Sequence, residues 1–373
     1  MRFIKLPWRL YRNEPNWVPP LVSERRKFLD RETNPFFEHA EAEYFLAWRD
    51  GEPVGRISAH VDGNLNEYQG NDWGLFGFFE SENDPAVARA LLEAAEVWLR
   101  DRGLGTMVGP MDFTTNDECG LLIDGYERKP MILQGWHHPY YVTLLEGYDG
   151  LEKSMDLYMW ELRLDKVEEK GGFHPMIQAA AKKVTGEHGV SVRHMRKRDF
   201  EAELERFLEV YNAAWERNWG FVPLTEKEVR HYAKDLKPIL DEQWTWIAER
   251  DGEVLGAALT LPNINIALEH MNGRLLPLGW AKFLWWRRKI RSCRVFALGV
   301  KPEYQHLGIA AAFYIEHVEN ARKPGAIWWG EMGWILETNE PMNRAMEGMG
   351  GKVVKRYRIL EKELDRSAVA APG

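Results

Sequence analysis

An internal repeat constrains this chain more than any other feature, because a copied segment decides the domain count before any single element is read. Tyr44-Phe45-Leu46-Ala47-Trp48-Arg49-Asp50-Gly51-Glu52-Pro53-Val54-Gly55-Arg56-Ile57 reads as two strands joined by an Asp-Gly turn. About two hundred residues later, Trp244–Ala258 repeats that design with Asp251, Gly252 and Glu253 at the turn. Each hairpin leads to another strand and then a helix. The first helix is predicted over 85–102, with Val87, Leu91, Ala94, Ala95 and Trp98 at helical spacing, and the second over 308–322. Each half also ends alike, in a short helix closed by glycine (139–147 and 341–349) followed by a strand (155–164 and 353–360). The polar stretch 165–172 separates the copies. Two domains are expected, 1–170 with an N-terminal arm and 171–373.

A chain of 373 residues, 45% hydrophobic and 28% charged, carries enough apolar material for two cores. A formal charge of −8 gives no global case for nucleic acid. Cys119 and Cys293 stand far apart without metal-ligand spacing, no apolar signal core opens the chain, and charged residues interrupt every apolar run short of the ~20 residues that span a bilayer. No metal is expected, and the location expected is cytoplasmic. The 17 Trp suit wide apolar clefts as well as cores.

The second copy carries the chemistry. In Val295-Phe296-Ala297-Leu298-Gly299-Val300-Lys301-Pro302-Glu303-Tyr304-Gln305-His306-Leu307-Gly308-Ile309-Ala310-Ala311, a buried strand meets a Pro turn and a helix that starts at glycine. A helix N-terminus offers unpaired N–H groups and a positive dipole end to a pyrophosphate. Gly308 and Ala310 keep Cβ bulk away, and Gln305 adds a neutral donor. A plain strand-loop-helix joint with Gly for packing would use the same residues.

This segment resembles the acyl-coenzyme A signature of the GCN5-related N-acetyltransferase (GNAT) family. The order of elements resembles the same family in both halves. The resemblance implies an α/β (α+β) fold of two tandem GNAT-like domains with mixed sheets flanked by helices. It implies acetyl-CoA or a longer acyl-CoA as co-substrate, gripped by Gln305, His306, Leu307, Gly308, Ile309, Ala310 and Ala311. It also implies that the backbone of Leu298, Gly299 and Val300 pairs with the pantetheine arm, one N–H polarising the thioester oxygen. Asn339, with Asn343 second, stands where an Asn of the family contacts pantetheine; helix N-capping explains both as well. Met346 occupies the place of the family's usual tyrosine acid, so the acid is another hydroxyl (Tyr304, Tyr314 or Tyr357) or water. Glu331 lies in the apolar strand Trp328–Trp334, where a carboxylate is costly unless it faces a wet cleft, which makes it the candidate base. Glu337 shares its strand parity; a surface salt bridge would explain either.

In the first copy Glu80, Glu82 and Asp84 stand where the phosphate loop belongs, and Pro85 removes a donor, so that half reads as degenerate. The segments 109–120 and 136–141 could bind an acceptor, while His137 and His138 as metal ligands are disfavoured. Between the third and fourth strands of the second copy, Leu275-Leu276-Pro277-Leu278-Gly279-Trp280 through Arg287-Arg288-Lys289-Ile290-Arg291 places a basic cluster after apolar residues. It reads as a helix on the inner membrane face, a lining for a lipid-sized cleft, or an extra core helix. Leu6–Tyr11, Asn16–Pro20 and Asn34–Phe37, together with the strand Glu331–Asn339, resemble a bacterial group related to ceramide synthase-like N-acyltransferases. That resemblance implies a fatty acyl-CoA donor and a long-chain amino alcohol acceptor. The other readings are a small-molecule or peptide N-acetyltransferase and a non-catalytic acyl-CoA-binding protein.

Overall fold

Both Asp-Gly turns form as the sequence predicts. Asp50 and Gly51 take φ of 50° and 82°, Asp251 and Gly252 take 53° and 86°, and left-handed backbone at both central positions is the turn that suits a two-residue hairpin. The structure, a computed structural model, describes residues 1–365 and divides into two units. Among the described residues, unit 1 holds Met1–Leu157, Ala267–Leu284 and 355–365; unit 2 holds Tyr158–Ile266 and Trp285–Val354.

In unit 1, helices α1 (Arg2–Leu10) and α2 (Val22–Phe28) precede the hairpin β1 (Ala40–Arg49) and β2 (Glu52–Asp62). Then come α3 (Gly63–Gln69), β3 (Trp73–Ser81), α4 (Pro85–Arg100), β4 (Thr106–Gly109), β5 (Leu121–Asp124) and α5 (Tyr140–Glu146). Strand β6 (Glu152–Arg163) begins in unit 1 and ends in unit 2. Unit 2 continues with α6 (Leu164–Glu169), α7 (Pro175–Gly186), β7 (Ser191–His194), α8 (Phe200–Ala214), α9 (Glu226–Leu236), and the hairpin β8 (Thr245–Arg250) and β9 (Glu253–Pro262). After α10 (Asn265–Leu268) and α11 (Gly279–Arg287) follow β10 (Ser292–Val300), α12 (Ile309–Ala321), β11 (Trp329–Leu336), α13 (Glu340–Gly348) and β12 (Lys352–Glu363).

The sheet of unit 1 runs β1-β2-β3-β4-β12-β6, with β5 also on β12, and that of unit 2 runs β6-β11-β10-β9-β8-β7. The fold is mixed α/β, as expected. Tyr158–Arg163 of the first half's last strand belong to unit 2, and Lys355–Glu363 of the second half's last strand to unit 1. Twelve residues each, β6 and β12 have residues in both units. In unit 1, α4 lays Val87, Leu91, Leu92, Ala95 and Leu99 on the sheet, where Leu360 of β12 joins them. In unit 2, α12 buries Ile309, Ala312 and Phe313.

Cutting the chain at 170 should therefore leave two insoluble fragments. The first would lack Leu360, and the second would lack Trp160 and Val167; each would expose apolar positions and a bare strand edge. Co-expression should restore soluble protein. Two separately soluble, cooperatively melting fragments would contradict this account of the strands.

Candidate active site

The two copies share one local device with opposite outcomes. In each, the strand that feeds the long helix carries an extra residue against its antiparallel neighbour: β3 near Phe78, and β10 at Phe296. In each, the parallel partner on the other side pairs only briefly. β3 and β4 pair from Trp73↔Thr106 to Leu75↔Val108, and β10 and β11 from Ser292↔Trp329 to Val295↔Met332. Beyond those points the strands fork, which a bulge promotes by bending one strand away.

In unit 1 the fork is filled by the chain itself. Met111 N–H donates to the Phe76 carbonyl at 2.8 Å, and the Asp112 carboxylate accepts from Phe78 N–H at 2.7 Å. A Cβ on Gly77 would lie 1.8 Å from the Met111 carbonyl oxygen. The start of α4 is taken as well: Asp84 caps it by accepting from Ala86 N–H at 2.8 Å and holds Arg49 at 2.5 Å. His137 accepts from Leu122 N–H, and His138 stacks between Tyr11 and Tyr140. Among the described residues no group of three His, Cys, Asp or Glu could hold a metal ion.

In unit 2, Leu298, Gly299 and Val300 keep their pairing with Ala258, Ala257 and Gly256 of β9 after the ladder to β11 has ended. Their second backbone edge faces the fork. The chain then turns through a short 3-10 segment, Pro302–Leu307, whose Gln305 donates back to the Val300 carbonyl at 3.4 Å. Ala312 N–H donates to the Gly308 carbonyl, so the N–H groups of Ile309, Ala310 and Ala311 precede the helix's own ladder. His306 is exposed, while Leu307 and Ile309 are buried in the core and offer only backbone. Gly308 has a different reason to be glycine from the one the sequence suggested. Its φ is 80°, and a Cβ would meet Ala180 of α7 at 3.1 Å.

The two faces of the fork differ in chemistry. Glu331 of β11 and Arg294 of β10 are register partners, each only 1% exposed. Glu331 thus faces no open wet cleft, and the residue opposite it in the ladder is a cation. Arg294 also donates to the Gly333 carbonyl at 3.2 Å and lies over Trp334. On the same sheet, Trp215 after α8 packs where a Gly299 Cβ would sit, 2.4 Å from its ring. Neither Arg294 nor Trp215 was singled out from sequence, although Arg294 is a lone charge in an apolar strand just as Glu331 is. Glu337 does not continue the parity of Glu331. Met332 and Ile335, three apart, join one apolar cluster, and the strand ends at Leu336, leaving Glu337 in the turn.

The three candidate hydroxyls also separate. Tyr304 donates to both oxygens of Glu253 at 2.9 and 3.0 Å, a bond that holds its pKa above the usual phenol value. Tyr357 belongs to unit 1 and donates to the Gly135 carbonyl. Tyr314 of α12 borders the fork beside Leu298, its hydroxyl on the Met342 sulfur at 3.5 Å, and burial pushes it up to about 12. Asn339 caps α13 by accepting from Met342 N–H at 3.2 Å; Asn343 ties the Leu336 carbonyl to Trp160 Nε1. Capping therefore occupies the side-chain oxygen of Asn339.

Opposite the charged pair, on the α12 side, lies a cavity of about 560 Å³, the open space at its mouth included. Val295, Leu298 and Met332 line it at the fork, and Ala321, Ile327 and Trp328 line it farther on. His317 on its wall is neutral: burial pulls it down to about 4, and both ring nitrogens are engaged, by Phe313 O at 2.7 Å and Thr260 Oγ1 at 2.8 Å.

No protein-family model matches the chain. It is 40% identical over 373 residues to the bacterial ceramide synthase of Caulobacter vibrioides, covering 97% of this chain and 94% of that one. It is 37% identical over 368 residues to protein YghO of Escherichia coli, covering 97% and 92%. Among solved structures, a tandem GNAT protein from the clavulanic acid biosynthesis pathway superposes with a TM-score of 0.56 at 12% identity, covering 98% and 94% of the two chains. That likeness shows the tandem GNAT fold.

Proposed function

This chain belongs to the bacterial ceramide synthase family and is an acyltransferase, and from that premise we propose that it moves an acyl group from a coenzyme A thioester to a primary amine within the fork of β10 and β11. The observation that carries the proposal is the fork itself, which opens at the Phe296 bulge on the strand that leads through Pro302–Leu307 into α12. The diphosphate sits on the N–H groups of Ile309, Ala310 and Ala311, with Gln305 beside it. Pantetheine lies along Leu298–Val300 with Asn339 Nδ2 opposite, and an N–H of that strand end polarises the thioester carbonyl.

The amine nitrogen attacks the thioester carbon, the C–S bond breaks, and the products are the amide and coenzyme A thiol. Glu331, whose carboxylate faces no open cleft, takes the proton the attacking ammonium must lose through a bridging water. Glu337, in the turn, is the poorer choice. Tyr314 borders the fork and replaces Tyr304 as the donor to the departing thiolate, because the Tyr304 hydroxyl is committed to Glu253.

The acyl group is a long chain and the acceptor a long-chain amino alcohol, in keeping with the name of the Caulobacter relative. Contact with an anionic membrane surface belongs to the same proposal. Leu275, Leu276, Leu278, Trp280, Leu284 and Trp285 all stand exposed in one segment, with Arg287, Arg288, Lys289 and Arg291 exposed just after them. Only Gly279–Arg287 of it is helical, and no helix among the described residues is long and apolar enough to cross a membrane.

Release of coenzyme A thiol, measured with a panel of primary amines against acetyl-CoA and long-chain acyl-CoA, tests the reading. Amine-dependent release with the long-chain donor is expected. Preference for acetyl-CoA would favour a small-molecule N-acetyltransferase, and tight binding without release would favour an acyl-CoA-binding protein.

A further inference from the structure

Close packing normally leaves few voids in a protein interior larger than a water molecule. The cavity on the α12 side of the fork is therefore a feature to be explained, and beyond the Tyr314 hydroxyl at the fork end its wall offers a ligand almost nothing polar. His317 turns both nitrogens to partners in the protein. The thiol of Cys293, which also lines it, stays protonated, since burial pushes it up to about 12. Such a space suits a hydrocarbon and rejects an ion or a sugar.

Its direction matters as much as its lining. Val295 and Leu298, three apart on β10, both reach it because the bulge at Phe296 inserts one residue between them. It therefore begins where the fork begins, where a thioester carbonyl would lie. Along α12 it extends from Tyr314 to Ala321, a run of about 10 Å at the helical rise. An acetyl group at the fork would not reach Ala321.

We propose that this cavity receives the acyl chain of the thioester, and that Ala321, Ile327, Trp328 and Trp329 at its far end set the longest chain accepted. The proposal rests on the reading of the fork as the thioester site. The fork then sorts its ligands by face, with hydrocarbon under α12 and the amine on the side of Arg294 and Glu331.

Equilibrium titration with acetyl-, octanoyl- and palmitoyl-CoA, in the absence of any amine, tests it on the full chain. Affinity should rise by about fourfold per added methylene up to a limit. Ala321→Trp should move that limit to shorter chains while acetyl-CoA still binds within about twofold of the unaltered protein, which shows that the fold survives. Trp329→Ala should move the limit to longer chains. Affinity independent of chain length, or a limit that neither substitution moves, would overturn the assignment. A chain-length dependence without turnover on any amine would overturn the transferase reading and leave the cavity assignment standing. Failure of every thioester to bind would overturn both.

Discussion

Glu331→Gln should lower turnover by roughly 10² to 10⁴ while acyl-CoA binding barely changes. The substitution keeps the shape and the hydrogen-bonding capacity of a side chain that is only 1% exposed, but the amide cannot take the ammonium proton. The loss should shrink as pH rises, because more of the amine then arrives already neutral. Burial beside Arg294 adds a second consequence: removing the carboxylate leaves a guanidinium buried without its register partner. A lower melting temperature is therefore expected too, and Arg294→Met together with Glu331→Gln should recover much of the stability but none of the rate. Full activity with an unchanged pH profile in Glu331→Gln would make the residue structural and pass the base role to Glu337 or water.

Ala311→Glu should weaken coenzyme A binding by at least about 10²-fold. The residue stands in the first turn of α12, where the N–H groups proposed to hold the diphosphate lie. A carboxylate there meets like charge, and a like-charge contact costs several kcal/mol. The same carboxylate is favourable to the helix, because it complements the positive end of the dipole. Melting temperature should hold or rise as binding collapses, which separates this substitution from Gly308→Glu, where φ of 80° and the closeness of Ala180 would strain the fold. Unchanged affinity in Ala311→Glu would remove the phosphate site from α12.

What the sequence disclosed was local. Asp50-Gly51 and Asp251-Gly252 announced their hairpins because few residue pairs accept left-handed backbone twice in succession. The apolar spacing of α4 and the glycine at the start of α12 placed both helices to within a few residues. What stayed hidden was non-local. The alternation of β6 and β12 shows which side chains share a face but not which sheet a strand joins. Nothing in Pro110–Phe113 signals that it fills the fork of its own half, since that depends on the Phe78 bulge opening the strand opposite. Glu331 was legible as a misplaced charge, whereas its neighbour Arg294 becomes evident only once β10 and β11 are in register. Glu337 does not share the parity of Glu331, because the side chains of Met332 and Ile335 do not alternate through Gly333 and Trp334.

One fork is open to a ligand, and the other is occupied by the chain. Backbone hydrogen exchange with and without coenzyme A tests that most directly. Slowed exchange is predicted at Phe296–Val300 and Gln305–Ala311, with no change at Phe76–Val87. Protection at Phe76–Val87, or at neither segment while coenzyme A is bound, would contradict it.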